Sequence, residues 1–429
     1  MKTTNITALE LVEPVPPKKG RSWYKWEMLL LLWVAFFLHQ GCRQIYNSVI
    51  PLIKSELGLT NIQAGLVSSI FTLVYGILVP VAGIVGDRFS RKWVIVCSVA
   101  IFSSGILLTG FSSGLVMLVI FISITTGGGE AFFYPSATSL LAQVHEKSRA
   151  LALGLLQTGL YVGVVVSGLL AGWIGQNYGW RNSFLVFGGA GVFWTLVVIW
   201  RLRNTPPVAV SGQAERLPIG QVIKYLVRRP SVCLLSLAFG TQVFVNVGFL
   251  TWTPAFLNER FQLSLAQAGL HSMAYHFAGA FLGVLLGSRI ADHLVSRRPT
   301  IRMEMNLLGL LCGAPFIFWL GHSTNATATF CALGVFGLFR GLYDSNLFAS
   351  LYDVVEPRVR ASATGLMLAF AFVIGSSAPA ILGWMKTRAG LGAGLSMLCW
   401  FYLFGAACIF VAVKFFLHRD RVSTTPANA

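Results

Sequence analysis

The sequence predicts an all-α membrane protein of twelve spanning helices in two pseudo-symmetric six-helix halves, and three observations predict it. Hydrophobic residues fill 55% of the 429 positions and charged residues only 11%, against about a quarter charged in soluble domains. Twelve apolar runs begin near Met28, Ile62, Trp93, Leu115, Ala150, Ser183, Val232, Ala266, Met303, Ala326, Ala361 and Leu395, each near the roughly 20 residues a span needs. Finally, Arg-Ala-Leu-Ala-Leu-Gly-Leu at 149–155 returns as Arg-Ala-Ser-Ala-Thr-Gly-Leu at 360–366, an offset of 211 residues that also carries Gly172-Trp173 onto Gly383-Trp384. That register makes spans four to six and ten to twelve equivalent parts of two halves.

Charge sets the orientation. The chain carries a formal net charge of +17, with 32 Lys and Arg against 15 Asp and Glu. With the N-terminus cytoplasmic, 25 of those cations fall on the cytoplasmic side, 5 outside and 2 within the membrane. Positive-inside topology accounts for the excess, so both termini are predicted cytoplasmic and the membrane a cell inner membrane. The cations face lipid headgroups, and no interleaved basic and aromatic surface calls for nucleic acid. The seven Cys are scattered without metal or disulfide spacing. Residues 1–25, polar with Pro14, Pro16 and Pro17 and without a short apolar core, read as a disordered cytosolic tail rather than a signal peptide.

The first half occupies residues 26–203. In the first span Arg43, Tyr46 and Asn47 sit at i, i+3 and i+4, which puts three polar groups on one face. Arg43 either faces a cavity or snorkels to the surface near Lys54. The second span carries Tyr75. The fourth holds Glu130 within Thr-Thr-Gly-Gly-Gly-Glu-Ala-Phe-Phe-Tyr134-Pro. A carboxylate there costs about 3 kcal/mol unless paired or neutralised, and close packing explains the glycines but not the acid. The fifth span sets Gln157 and Tyr161 one turn apart.

Residues 204–230 form a polar, Pro-containing linker, with Ile219–Arg229 as a basic amphipathic helix on the inner leaflet. The second half, 231–417, brings Gln242 and Asn246 in the seventh span and His271, Tyr275 and His276 in the eighth. The tenth contains Arg340, Asp344 and Asn346. Arg340 and Asp344 lie four apart and can neutralise each other, either as a structural bridge or as part of a site. The offset maps Glu130 onto position 341, beside Arg340. Residues 418–429 are predicted to be a cytosolic tail.

One loop organises the chain: Gly83-Ile-Val-Gly-Asp87-Arg88-Phe-Ser-Arg91-Lys92, between spans two and three. Its spacing resembles the signature loop of the major facilitator superfamily, with Ser90 where that family usually has glycine. Asp292 to Arg302, including Arg297, echoes it in the second half. The resemblance implies spans one, four, seven and ten around a central cavity, alternating access by rocking halves, and a gate in which Asp87 accepts hydrogen bonds. Arg43 and the Gly-Gly-Gly-Glu-Ala-Phe-Phe-Tyr-Pro run further resemble the anion:cation symporters, carriers of hexuronate and other organic acids. There the first-span Arg binds the substrate carboxylate and the fourth-span Glu carries the proton, roles this resemblance gives to Arg43 and Glu130, with Asp344 as rival proton carrier. Cys42 and Ser123 replace an acid and an Arg common in those carriers, which thins the coupling network.

The expected function is proton-coupled symport of a small organic anion by a monomer, without cofactor or metal. The Gly-Glu-Ala stretch also resembles Spinster-like lipid carriers, which stand as the alternative, followed by drug efflux and a non-transporting sensor. No Ser-His-Asp set or metal-ligand motif at membrane depth suggests an enzyme.

Overall fold

The computed structural model describes residues 23–145, 148–204 and 219–422, without the side chains of residues 84, 86–88, 150 and 219. Among the described residues there is no strand. The first half consists of α1 (Tyr24–Leu57), α2 (Asn61–Arg88), α3 (Arg91–Thr109), α4 (Leu115–Val144), α5 (Arg149–Tyr178) and α6 (Trp180–Arg201). After the linker helix Ile219–Val227 come α7 (Pro230–Phe261), α8 (Leu265–Leu294), α9 (Ile301–His322) and α10 (Ala326–Val354). The last apolar stretch, Pro357–Asp420, is 64 residues long, twice what a bilayer takes. It turns back at Gly390, where φ is 83°, giving α11 (residues 360–389) and α12 (residues 391–411). The fold is thus twelve crossings in two six-helix halves.

The hairpins carry the duplication in their backbone. Gly179 and Gly390, 211 residues apart, both take a left-handed φ, 89° and 83°, and join α5 to α6 and α11 to α12. The first hairpin of each half repeats at a different offset, 204. Gly58 (φ 64°) and Gln262 (φ 55°) end α1 and α7. Thr60 and Ser264 then cap α2 and α8 in reciprocal boxes with Gln63 and Gln267. Each box satisfies two amide donors that a helix start otherwise leaves unpaired.

At the end of the bundle that holds these four turns, the halves touch along two seams. On the α2–α11 seam the Ala380 amide donates to Ser69 Oγ at 3.1 Å and Asn61 Nδ2 to Thr387 Oγ1 at 3.2 Å. On the α5–α8 seam the Leu265 amide donates to Gln176 Oε1 at 3.1 Å. Gly65, Gly172, Gly269 and Gly383 bring the backbones together, since a Cβ on any of them would collide with a carbonyl across the seam. At the other end, where α1 begins and α12 ends, the positions a Cβ would take on Gly83, Gly154 and Gly365 have nothing within 4 Å. The halves are closed at one end and open at the other.

The ends of the chain depart from the sequence expectation. α1 begins at Tyr24, inside the predicted tail, because Glu27 pairs with Arg201 and Trp26 packs edge-on to His145. Residues 1–22 and 423–429 lie outside the described residues, as does most of the linker. The linker helix stops at Val227, and Arg229 turns to donate to the carbonyls of Val354 and Asp420 at 2.6 and 2.7 Å. Leu417–Asp420 is helical rather than tail, and the Asp420 carboxylate accepts from the Ser231 amide at 2.9 Å, which caps α7.

Candidate functional site

In the first half, α4 is wound as a π-helix over Val119–Thr126, immediately before Gly127. A π-turn holds one residue more than an α-turn and rotates the rest of the helix by about 100°. Within it Ser123 Oγ donates to the Val67 carbonyl at 2.7 Å, a tie from α4 to α2. Glu130 lies just beyond, fully buried, and receives Arg43 Nε on Oε2 at 2.7 Å. The guanidinium of Arg43 lies over the rings of Tyr75 and Phe71, 4.3 and 4.9 Å from their centroids. Charge, ring faces and carboxylate together offset the cost of a cation at this depth. Arg43 Nη2 and Glu130 Oε1 are buried without a hydrogen-bond partner.

His39, one turn before Arg43, backs this pair. Its Nε2 lies 3.1 Å from the Glu130 carbonyl oxygen, which only accepts, so Nε2 carries the hydrogen. Nδ1 then accepts from Gln40 Nε2 at 3.0 Å. The ring is held by two hydrogen bonds with its Nε2 3.7 Å from Glu130 Oε2.

The second half builds a comparable set from different positions. Arg340 Nε lies 3.3 Å from Asp344 Oδ2, and Gln242 Nε2 donates to Asp344 Oδ1 at 3.2 Å. Arg340 Nη1 donates to His276 Nε2 at 2.7 Å, since a guanidinium has no acceptor. The repeat register places Gly341 opposite Glu130. There α10 crosses α8 so closely that a Cβ would strike the Ala280 carbonyl, and Gly279, Gly283 and Gly337 are equally tight. The acid of this half therefore stands one turn away from the crossing, at Asp344.

The two arginines face a cavity of about 190 Å³ between the halves. Of the predicted site residues, Arg43, Tyr46, Asn47, Tyr75, Asn246 and Arg340 line it. An adjoining cavity of about 280 Å³ is lined by Gln157, Tyr161, Arg340 and Asp344, and the two share Leu160, Phe277 and Arg340. Tyr46 also donates its hydroxyl to the Ala64 carbonyl at 2.8 Å, tying α1 to α2.

Other predicted residues lie elsewhere. Gln242 and His276 are buried behind Asp344 and Arg340 and hold them. Asn346 is turned to the α8–α10 contact, with its amide on the carbonyls of Leu342 and Gly287. Tyr134 packs on Phe36 and is 40% exposed. Tyr275 joins a cluster of three stacked rings with His271 and Phe330 and is also 40% exposed. His271 and Tyr275 share a face at i, i+4, whereas His276 lies a further 100° round the helix and points inward.

In the signature loop, the side chains of Asp87 and Arg88 lie outside the described set, so the gating role of Asp87 falls there too. Arg91 Nη1 donates to Gln143 Oε1 at 2.5 Å and Lys92 Nζ to the Ile199 carbonyl at 3.0 Å, which ties the loop to α4 and α6. Gly83 faces open space, and Asp292 and Arg297 are exposed. The cavity residues that the sequence reading missed include Gln40, Gln44, Phe71 and Thr72, and it also missed His39, buried behind the pair. Phe71 had a usable signal, standing four residues before Tyr75.

Two duplicated helical halves around a polar, ion-paired cavity define a membrane transporter rather than an enzyme. The chain belongs to the Major Facilitator Superfamily, whose sequence model matches residues 32–379. It is 25% identical over 398 residues to a hexuronate transporter of Bacillus subtilis, covering 87% of this chain and 91% of that one. It is 26% identical over 362 residues to a probable sulfoacetate transporter of Cupriavidus necator, covering 79% and 82%. The Drosophila melanogaster protein spinster is 25% identical over 380 residues, covering 85% of this chain and 62% of that protein. In fold it matches a bacterial homologue of the human lysosomal transporter Spinster, solved in an inward-facing, unoccupied conformation. That match has a TM-score of 0.83 and 22% identity, over 95% of this chain and all of the other.

Proposed function

We propose that the protein carries a small organic anion together with a proton by alternating access. The observation that carries the reading is the Arg43–Glu130 pair, 2.7 Å apart, with Arg43 on the wall of the central cavity and Glu130 fully buried behind it. A guanidinium presents a planar fork that matches a carboxylate. An anion that takes Arg43 leaves Glu130 buried without its counter-charge, and the carboxylate then takes up a proton. The empty site and the loaded site are both neutral, and only neutral sites cross the low-dielectric interior cheaply. Relatives named for hexuronate and sulfoacetate support an acid as cargo. With 25 of 32 cations on the side of the termini, that side is cytoplasmic by the positive-inside rule. The open end then faces the cytoplasm and the glycine seams close the outer side.

Proteoliposomes with an imposed pH gradient test this. Glu130→Gln is expected to abolish accumulation of a labelled monocarboxylic acid yet retain exchange without a gradient, while Asp344→Asn retains accumulation of that monoanion. Full accumulation in Glu130→Gln would move the proton elsewhere. One observation favours a second reading, a Spinster-like amphiphile carrier: an apolar crevice of about 640 Å³ between α2, α3 and α4, lined by Leu78, Phe89, Trp93, Ile101 and Phe132. Uptake of a lysolipid in place of the acid, in the same vesicles, would favour that reading.

A further inference from the structure

We infer that the preferred substrate is a dianion whose two acid groups bridge the halves, one on Arg43 and the other on Arg340. This rests on the anion-carrier reading above and deepens it to a substrate class. Arg43 and Arg340 are the two cations the sequence places within the membrane, and both line the one cavity of about 190 Å³, from opposite halves. A monoanion needs one guanidinium, and a second buried cation costs about 3 kcal/mol before it is paired.

Neither guanidinium is saturated by its own half. Arg43 Nη2 is buried without a hydrogen-bond partner, and so is Arg340 Nε, which meets Asp344 only at the longer 3.3 Å. A buried donor left unpaired costs about 1–3 kcal/mol, which an arriving oxygen returns. A salt bridge serving only the helix would be sealed, whereas the Asp344 side chain keeps 35% of its surface exposed. A sphere of the cavity's volume is about 7 Å across, enough for a diacid with one or two carbons between its carboxylates.

The charges then balance with two protons. In the empty site two guanidiniums face Glu130 and Asp344, and the sum is zero. A dianion that takes both guanidiniums displaces both carboxylates, each of which accepts one proton, and the sum is zero again. A monoanion on Arg43 leaves the Arg340–Asp344 pair in place and brings one proton.

The test compares acids of one size and two charges: succinate and malonate against their monomethyl esters, titrated into the purified full-length protein at fixed ionic strength. Each diacid is expected to bind at least tenfold tighter than its ester. In the doubly neutral variant Arg340→Gln with Asp344→Asn, which leaves no lone charge in the membrane, the diacid is expected to bind no better than the ester. Proteoliposome uptake is expected to move two protons per diacid and one per ester. Equal affinities for diacid and ester in the wild type overturn the inference without any variant. A diacid advantage that survives in the double variant overturns it as well, leaving the anion-carrier reading intact. A wild type that binds none of the four acids overturns both.

Discussion

In the proposed cycle Arg43 holds a carboxylate in both forms of the site, that of Glu130 when empty and that of the substrate when loaded. Its Nε reaches Glu130 while its plane lies against Tyr75, and a lysine ammonium reproduces neither the fork nor the stacking. Arg43→Lys is expected to weaken anion binding by roughly 10- to 100-fold, the equivalent of about 1.5–3 kcal/mol for a charge-assisted hydrogen bond. Titration of the purified variant checks it, and wild-type affinity would leave Arg43 as a structural partner of Glu130 alone. Arg43 and Glu130 were legible in the sequence because a charge inside an apolar run has to be paired or neutralised. His39 was not, since a lone histidine in an apolar helix is more often a packed core residue. Tyr275 and His276 are neighbours in sequence, yet they face about 100° apart on the helix, and only His276 points inward to Arg340.

At the scale of single elements, the two halves solve the same turn with different residues. α1 ends in a left-handed cap on Gly58, whereas α7 ends on Gln262 at φ 55°, a conformation that a side chain makes costly. Gln262→Gly is expected to stabilise the protein by about 0.5–1 kcal/mol, read as a rise in the melting midpoint in detergent. A fall would mean that the Gln262 side-chain bond to the Glu259 carbonyl, 2.9 Å long, outweighs the backbone cost. The α8–α10 crossing responds in the opposite sense. Gly341→Val drives a side chain into the α8 backbone and is expected to cost several kcal/mol, with loss of folded protein on size-exclusion chromatography. The helices themselves were legible from hydropathy, and the repeat from the 149 and 360 segments. The matching capping boxes escaped that register because they recur at 204 rather than 211. The second half has seven more residues between its second and fifth helices than the first, so no single offset aligns both ends.

Across the whole molecule, the glycines of the seams follow a rule that hydropathy does not report. α2, α5, α8 and α11 each carry two glycines eighteen residues apart: Gly65 and Gly83, Gly154 and Gly172, Gly269 and Gly287, Gly365 and Gly383. Eighteen residues are about five turns, so each pair lies on one helical face, one glycine toward either end. Gly65, Gly172, Gly269 and Gly383 are pressed against backbone across the seams, while Gly83, Gly154 and Gly365 face space and Gly287 meets Ser345 of its own half.

A bare notch has no use in a conformation where nothing enters it, and the proposed alternating access gives Gly154 and Gly365 one, in a second geometry in which the opposite ends of the same helices meet. Substitutions there act on one form only. Gly154→Leu and Gly365→Leu are expected to keep the melting midpoint and the spin-label distances of the open form, yet to slow gradient-driven uptake at least tenfold, because they raise the free energy of the form closed on that side. Wild-type turnover in both variants would refute this. Gly172→Leu and Gly383→Leu are expected to do the reverse, widening the label distances across the present seams. Tolerance to a side chain at these four positions therefore sorts by conformation rather than by burial, and a stability screen alone would score half of a working carrier's essential glycines as dispensable.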